Sequence, residues 1–144
     1  MKHIWILNGP NLNFLGIREP AIYGKQDYKA LEEAAQAWAQ EEHIDIKMFQ
    51  SNSEGTLIDI LQKAYYEHID GIVFNAGAYT HYSYAIRDAI ASVQIPTVEV
   101  HLSDVNNRED FRKISVIRPV CVAEFHGHGF ESYHEGLLYL IKTL

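Results

Sequence analysis

The stretch Ile4-Trp5-Ile6-Leu7-Asn8-Gly9-Pro10-Asn11 sets the pattern for the rest of the chain. Its first four residues are apolar, as in a short buried strand. Gly and Pro interrupt regular pairing, so the strand is predicted to end near Asn8. An irregular segment then continues to Gly24. Because long irregular loops in compact domains are usually functional, we predict that this segment is a lid that carries the reactive group.

The composition is typical of one globular domain, which we place over residues 1–144. The chain has 144 residues, of which 47% are hydrophobic, and a net charge of -7. A dedicated nucleic-acid binder normally has a basic face, so we expect no nucleic-acid partner. A few arginines in one cleft would still suffice for a small anionic substrate. The composition therefore favours a protein that binds a small molecule.

The cysteine count and the apolar runs favour a cytoplasmic protein with no membrane partner. Cys121 is alone, so it has no partner for an intrachain disulfide. The apolar run Ile4–Leu7 is too short for a signal peptide. No run reaches the roughly 18 apolar residues of a membrane span.

Apolar spacing predicts an alternation of strands and helices. The predicted strands cover residues 4–7, 44–50, 71–74, 97–100 and 120–125, with 44–50 near a sheet edge and the apolar 71–74 at its centre. Longer helices are predicted from the cap Asp27 to about 42, from the turn at 51–55 to about 67, and over 81–91 and 130–144. A short helix capped by Asn107 is predicted to end at Phe111.

This alternation predicts an α/β fold with helices on both faces of a parallel sheet. Five strands in 144 residues fit a three-layer, flavodoxin-like, doubly wound domain. Ligands of such sheets bind beyond the carboxyl ends of the strands. The polar residues expected at that rim are Asn8, Asn11, Ser51, Asn52, Asn75, His81, Glu99, His101, Ser103, His126 and His128. Their neutral donors and acceptors suit a polyhydroxylated ligand.

Tyr23 and Arg18 in the predicted lid are candidates for proton abstraction. A phenol has a pKa near 10, and lowering it by about 3 costs about 4 kcal/mol. A guanidinium in contact favours the phenolate, which can then remove a carbon-bound proton. The alternative is that Tyr23 anchors the loop and Arg18 is solvated.

Glu99 and His101 are two residues apart on a predicted strand and so point to the same face. Glu99 would orient His101 and stabilise its protonated form, which can donate a proton. The alternative is a buried structural pair.

The residues after this strand suggest an anion site. The N–H groups of Leu102 and Ser103 would form a small nest for a negative charge. Arg108 and Arg112 are four residues apart and would share one side of the short helix. An arginine there would bind a carboxylate in bidentate fashion. A solvated basic face is the alternative.

Metal and nucleotide chemistry have weaker support. His81, His101 and Glu99 could be assembled into a metal triad, but no His-x-x-x-His motif or cysteine pair accompanies them. The glycines form neither a dinucleotide nor a P-loop fingerprint. We therefore expect no metal and no cofactor.

Several motifs together resemble the type II 3-dehydroquinate dehydratases over nearly the whole chain. They are Leu7-Asn8-Gly9-Pro10-Asn11-Leu12-Asn13, Gly16-x-Arg18-Glu19-Pro20-x-x-Tyr23-Gly24, Gln50-Ser51-Asn52-x-Glu54-Gly55, Asn75-x-Gly77-x-x-Thr80-His81, Glu99-Val100-His101-Leu102-Ser103 and Arg108-Glu109-x-Phe111-Arg112. The resemblance implies dehydration of 3-dehydroquinate to 3-dehydroshikimate in the shikimate pathway of aromatic amino acid biosynthesis. Quinate breakdown is the other role that such an enzyme can serve.

The resemblance also implies residue roles. Tyr23 matches the base that removes the proton next to the ketone, and Arg18 matches the residue that lowers the pKa of that base. Asn11 matches the residue that holds an enolate-stabilising water. His101 matches the acid that protonates the leaving hydroxyl, with Glu99 behind it.

The remaining matched positions bind substrate. The backbone amides of Leu102 and Ser103 are expected to hold its carboxylate. Asn75, His81 and Arg112 match hydroxyl- and substrate-binding positions. Asp88 matches a residue that reaches in from a neighbouring subunit of a homododecamer built as four trimers. Neither a metal nor a Schiff base is implied.

One residue departs from the family pattern. Asp104 occupies a position where Asn usually follows Ser103. A carboxylate that pointed towards the anion nest would be unfavourable, so we predict that it points outwards.

Two other classes of function compete with this interpretation. A flavodoxin-like binding or signalling module would need flavin-binding loops or an acidic phosphoacceptor pocket, and no Asp lies at the predicted ends of the first or third strands. A metal hydrolase would use the histidines and lose activity in chelator.

Overall fold

Five parallel strands form a sheet in the computed structural model, which describes residues 1–17 and 26–144. The strands are β1 (His3–Asn8), β2 (Asp45–Gln50), β3 (Gly71–Asn75), β4 (Thr97–His101) and β5 (Ala123–His126). Their order is β2-β1-β3-β4-β5, and each neighbouring pair is parallel. This is the doubly wound order of flavodoxin-like domains, so the predicted fold class is confirmed.

Helices cover both faces of the sheet. They are α1 (Tyr28–Glu42), α2 (Glu54–Tyr66), α3 (Tyr84–Val93) and α4 (Phe130–Thr143). Ile4 and Ile6 pack in one core with α1 and α4. Trp5 and Leu7 pack in a second core with α2 and α3. Because successive strand residues point to opposite faces, these two cores confirm the predicted three layers.

Short polar side chains determine where the helices begin. Asp27 accepts a hydrogen bond from Ala30 N at 2.8 Å, as predicted for an N-cap. Ser83 caps α3 in the same way and accepts from Ile86 N at 3.0 Å. The helix predicted to begin at His81 therefore begins at Tyr84, because residues 77–81 form a 3-10 turn.

One predicted element near the site is wrong, and another begins later than predicted. The short helix over 107–111 is replaced by two 3-10 turns, Val105–Asn107 and Asp110–Lys113. The strand predicted from Val120 begins at Ala123, because Arg118–Val120 forms another 3-10 turn. Pro119 lies at the start of that turn, where its missing N–H costs no ladder hydrogen bond.

Gly9 brings the ends of β1 and β3 together. Its N–H donates to the Asn75 carbonyl at 2.7 Å. A Cβ atom at position 9 would lie 2.5 Å from the Ala76 carbonyl oxygen, closer than atoms can approach. The backbone contact that positions this end of the sheet therefore requires glycine.

The predicted lid is described only at its beginning. Leu12–Phe14 forms a 3-10 turn after β1. Arg18 and Tyr23, the predicted lid pair, lie outside the described residues. Within residues 1–17 and 26–144, none of the helices has the length and apolar character needed to cross a membrane.

Candidate active site

A cavity of about 210 Å³ lies beyond the carboxyl ends of β1, β3 and β4. It is lined by residues from four segments of the chain. They are Pro10, Asn11, Leu12, Phe14, Leu15, Gly16, Asn75, Gly77, Ala78, His81, His101, Leu102, Ser103, Arg108 and Arg112. The position agrees with the rule for ligands of doubly wound sheets.

Three strands rather than the predicted five supply this lining. Ser51, Asn52 and His128 are not part of the wall. Asn52 instead supports it from behind, since its Oδ1 accepts from Asn11 N at 3.0 Å. His128 is exposed and bonds to Glu135 at 2.6 Å. Asn52 and His128 therefore bond to other parts of the protein instead of facing this cavity.

His101 and Glu99 form a buried pair at the end of β4. The Nε2 atom of His101 lies 2.6 Å from Oε2 of Glu99. His101 lines the cavity, and Glu99 lies behind it. The predicted contact between the two side chains is confirmed. Because Nε2 faces the carboxylate, Nδ1 is the ring nitrogen left to act on a ligand.

The environment keeps Glu99 ionised. Burial on its own raises the pKa of the Glu99 carboxyl. The hydrogen bond and the charge of His101, with help from Ser115, lower that pKa by more than burial raises it. The Ser115 hydroxyl donates to Oε1 of Glu99 at 2.8 Å. The net pKa of Glu99 is below its ordinary value. A charged Glu99 stabilises a positive charge on His101.

Two side chains of β5 extend this pair. Register places Glu124 beside Glu99 and His126 beside His101. They line a second cavity of about 70 Å³ behind the first. Burial raises the pKa of Glu124, and the neighbouring Glu99 charge raises it further. Glu124 was not predicted as a site residue. The available signal was its spacing of two residues from His126, which places both side chains on one face of a strand.

Glu124 also bears on the metal alternative. Ligand atoms of Glu99, His101 and Glu124 all lie within 4.8 Å of one another. This group differs from the triad considered from sequence, in which His81 took the place of Glu124. A metal ion there would compete with the hydrogen bond between His101 and Glu99, so it would remove that pair from acid chemistry.

His81 lines the same cavity in a different environment. Its Nδ1 donates to the Ile114 carbonyl at 2.7 Å. Burial lowers the pKa of His81, and the nearby His101 and Arg112 charges act in the same direction. A neutral His81 with its proton on Nδ1 presents Nε2 as an acceptor. His81 is therefore suited to bind a hydroxyl group.

Arg108 and Arg112 bring positive charge to the cavity. Arg108 Nη1 donates to the Ser103 hydroxyl at 3.1 Å. Arg112 Nε donates to Glu109, which leaves its terminal nitrogens for a ligand. The two arginines share the cavity, but not one helix face as predicted, because only Arg112 lies in the turn Asp110–Lys113. Together with Leu102 and Ser103, they form a wall suited to a carboxylate.

Asn75 reaches the cavity from the end of β3. Its Oδ1 accepts from Gly77 N at 3.1 Å. Its Nδ2 donates to the Tyr133 hydroxyl at 2.9 Å. The Tyr133 hydroxyl in turn donates to Oδ1 of Asn8 at 2.6 Å. The sequence alone did not connect the Tyr133 hydroxyl with the site.

The other predicted site residues are placed as follows. Asn11 lines the cavity in a left-handed conformation, with φ 69°. Asp88 is exposed on α3 and is not part of the wall. Asp104 lies outside the wall, as predicted, and accepts from Asn106 N at 3.0 Å. Arg18 and Tyr23 are in the part of the chain that is not described.

Known proteins are similar to this chain in both sequence and fold. Residues 2–141 match the family model described as Dehydroquinase class II. A protein of Caldicellulosiruptor saccharolyticus named 3-dehydroquinate dehydratase is 56% identical over 144 residues, which cover 100% of this chain and 99% of that protein. A protein of the same name from Lachnoclostridium phytofermentans is 55% identical over 130 residues, 90% of each chain.

Solved structures agree with the sequence matches. The type II dehydroquinase of Butyrivibrio crossotus superimposes with a TM-score of 0.93 at 51% identity and covers 96% of this chain and 97% of its own. That of Propionibacterium acnes gives a TM-score of 0.93 at 34% identity, with 99% and 97% covered. The sheet order, the cavity and these matches over the whole fold lead to one assignment: the chain belongs to the class II dehydroquinase family.

Proposed function

We propose that the chain dehydrates 3-dehydroquinate to 3-dehydroshikimate through an enolate, with Tyr23 as base and His101 as acid. The family match supports the activity, which is that of a carbon–oxygen hydro-lyase. The substrate is a β-hydroxy ketone. Its C–H bond next to the ketone and its C–O bond break, a C=C bond forms, and water leaves. One base and one acid are the minimum that this reaction needs.

The acid assignment is supported by the geometry of His101. The ring is at the cavity wall, and a buried carboxylate lies 2.6 Å behind it. Glu99 fixes the ring orientation and places its negative charge beside the ring. The proton on Nδ1 is then available to the leaving hydroxyl, which departs as water. This buried pair at the wall of the cavity is the observation that carries the proposal.

The base assignment rests on the sequence motif. Tyr23 and Arg18 occur in Gly16-x-Arg18-Glu19-Pro20-x-x-Tyr23-Gly24, which matches the family pattern. A guanidinium beside the phenol favours the phenolate, which takes the proton next to the ketone. The enolate oxygen is then stabilised through a water held by Asn11, a residue that lines the cavity.

Binding groups for the rest of the substrate line the same cavity. Arg112, Leu102 and Ser103 would hold the carboxylate, and the charge of Arg108 favours the same position. His81 would accept a hydrogen bond from a hydroxyl. Asn75 would donate one from Nδ2. These contacts would orient the substrate ring so that Tyr23 faces the proton it removes and His101 faces the hydroxyl it protonates.

A direct assay tests the activity and the metal alternative together. Conjugated enone formation is followed by ultraviolet absorbance after 3-dehydroquinate is added to protein in excess chelator. A steady rise is expected, with the same rate when the chelator is omitted. A flat trace from folded, assembled protein would refute dehydration. Activity that depends on added metal would favour the hydrolase-like alternative.

The proposed assembly is a dodecamer of four trimers, in which Asp88 reaches a neighbouring site. Asp88 is exposed and does not line the cavity of its own chain, as a residue that serves a neighbour would be. Sedimentation velocity should give twelve times the chain mass, with one domain over residues 1–144 in each chain. A monomer with full activity would contradict the assembly. A cytoplasmic location and a biosynthetic role remain parts of this proposal.

A further inference from the structure

A buried hydroxyl on α4 contacts the cavity residue Asn75 from behind. Tyr133 is fully buried, and its oxygen lies between two amides. It accepts from Asn75 Nδ2 at 2.9 Å and donates to Asn8 Oδ1 at 2.6 Å. Asn8 is also fully buried, and Asn75 exposes 3% of its surface. The three side chains are shielded from water, so their hydrogen bonds are made to one another and to the backbone.

The direction of these hydrogen bonds fixes the orientation of the Asn75 amide. A hydroxyl has one hydrogen, and that of Tyr133 is donated to Asn8. Towards Asn75 it is therefore an acceptor. On the other side of the amide, the Gly77 N–H donates to Oδ1 at 3.1 Å. If the amide were rotated by half a turn, two acceptors would face each other at Tyr133 and two donors at Gly77.

At the Asn8 end of this group, Oδ1 accepts the hydrogen of the Tyr133 hydroxyl. Among the described residues, Asn8 Nδ2 has no hydrogen-bond partner, so the orientation of the group is set at its other end, where the Gly77 N–H donates to Asn75 Oδ1. Burial raises the pKa of Tyr133, so its hydroxyl retains its proton at working pH.

We infer that Tyr133 is a positioning residue for substrate recognition, because it holds the Asn75 amide with one Nδ2 hydrogen directed to a ligand oxygen in the cavity. One Nδ2 hydrogen is donated to the Tyr133 hydroxyl, and Oδ1 accepts from the Gly77 N–H. The second Nδ2 hydrogen is therefore the one available to a ligand. Asn75 then selects a hydrogen-bond acceptor, such as a carboxylate or hydroxyl oxygen. This inference rests on the proposed function, since it assigns a role in binding the proposed substrate.

The first test is Tyr133→Phe, which removes the oxygen and leaves the ring. Without it the Asn75 amide can rotate, so KM for 3-dehydroquinate should rise about tenfold while kcat changes by less than about threefold, as for lost uniform binding. The matched control is Tyr139→Phe on the same helix, where the ring packs against Phe125. Its KM should equal that of the wild type. An unchanged KM in Tyr133→Phe would overturn the inference.

A double-mutant cycle separates positioning from general damage to the fold. In an Asn75→Ala background, Tyr133→Phe should raise KM no further, because the amide that it positions is absent. If the two changes multiply independently, Tyr133 acts elsewhere and the inference fails. A wild-type protein that does not turn over 3-dehydroquinate would refute the proposed function instead, so the two failures are distinct.

A milder replacement covers the case in which Tyr133→Phe does not fold. Site-specific 3-fluorotyrosine keeps the hydroxyl and makes it a better donor and a poorer acceptor. The bond from Asn75 should weaken while that to Asn8 persists. KM should then rise severalfold when position 133 is replaced and remain unchanged when position 139 is replaced. Equal KM values for the two proteins would overturn the inference.

Discussion

Nε2 of His101 lies 2.6 Å from Oε2 of Glu99, and the two side chains expose only 9% and 1% of their surfaces. A carboxylate this deeply buried would be costly without compensating partners. Here His101 and Ser115 supply them. The position of both residues on β4 therefore places a buried negative charge directly behind the histidine that lines the cavity.

Glu99→Gln should reduce turnover much more than binding. The amide occupies nearly the same volume but carries no charge to stabilise protonated His101. General acid catalysis contributes typically 10²–10⁴-fold, so kcat should fall by about 10²-fold. Steady-state kinetics in the enone assay give kcat and KM separately. A Glu99→Gln protein with wild-type kcat would show that the pair is structural.

Glu124→Gln should stabilise the protein at pH 7. Burial and the neighbouring Glu99 raise the pKa of Glu124. The folded state therefore binds this proton more tightly than the unfolded chain, and the stability it contributes is present below the unfolded pKa, near 4.5, and lost as pH rises through the folded pKa. At pH 7 an ionised Glu124 is unfavourable, and glutamine removes its charge.

Thermal melts at pH 7 and pH 4 measure this effect. The Tm of Glu124→Gln should exceed that of the wild type at pH 7, and the difference should shrink as pH falls. Glu33→Gln, on the exposed face of α1, controls for the loss of one negative charge. A lower Tm for Glu124→Gln at pH 7 would contradict the proposed repulsion between Glu124 and Glu99.

Gly9→Ala should destabilise the protein and damage the site. The new Cβ would meet the Ala76 carbonyl oxygen at 2.5 Å, so the ends of β1 and β3 must separate. Overpacking of this kind costs typically about 1–3 kcal/mol in the free energy of unfolding. Urea denaturation measures the loss, and KM should rise because Asn75 shifts with β3.

Gly55→Ala is the matched control for this substitution. Gly55 lies in α2, where the closest atom to an added Cβ is 3.9 Å away. Alanine is favoured over glycine in a helix by about 0.5–1 kcal/mol, so this variant should be slightly more stable than the wild type. A Gly9→Ala protein as stable as Gly55→Ala would mean that the two strand ends can move apart freely.

Local chemistry made most of the fold predictable. The apolar residues 71–74 indicated a central strand, and the structure places β3 there. Asp27 before a helical stripe indicated the start of α1, and it caps that helix. The region around Asn107 could not be predicted in the same way. Short 3-10 turns leave no periodic pattern of apolar residues, and here the turn is held by local contacts of the Asp104 side chain with Asn106 and Asn107.

The site was partly predictable for a related reason. His101 and Glu99 are close in sequence, so strand alternation alone predicted their contact. Glu124 became a neighbour of Glu99 only through the pairing of β4 with β5. Tyr133 is 125 residues from Asn8, the acceptor of its hydroxyl hydrogen. A tyrosine on an otherwise apolar stripe was the available signal, but its partner depended on the packing of α4.

Deuterium exchange tests the division of labour between Tyr23 and His101 most directly. 3-Dehydroquinate is incubated in D₂O with His101→Asn or Tyr23→Phe protein, and deuterium next to the ketone is measured by NMR alongside enone formation. His101→Asn should incorporate deuterium while forming little enone, because the base still makes the enolate. Tyr23→Phe should do neither. Exchange by Tyr23→Phe at the rate of His101→Asn would contradict the assignment of Tyr23 as the base.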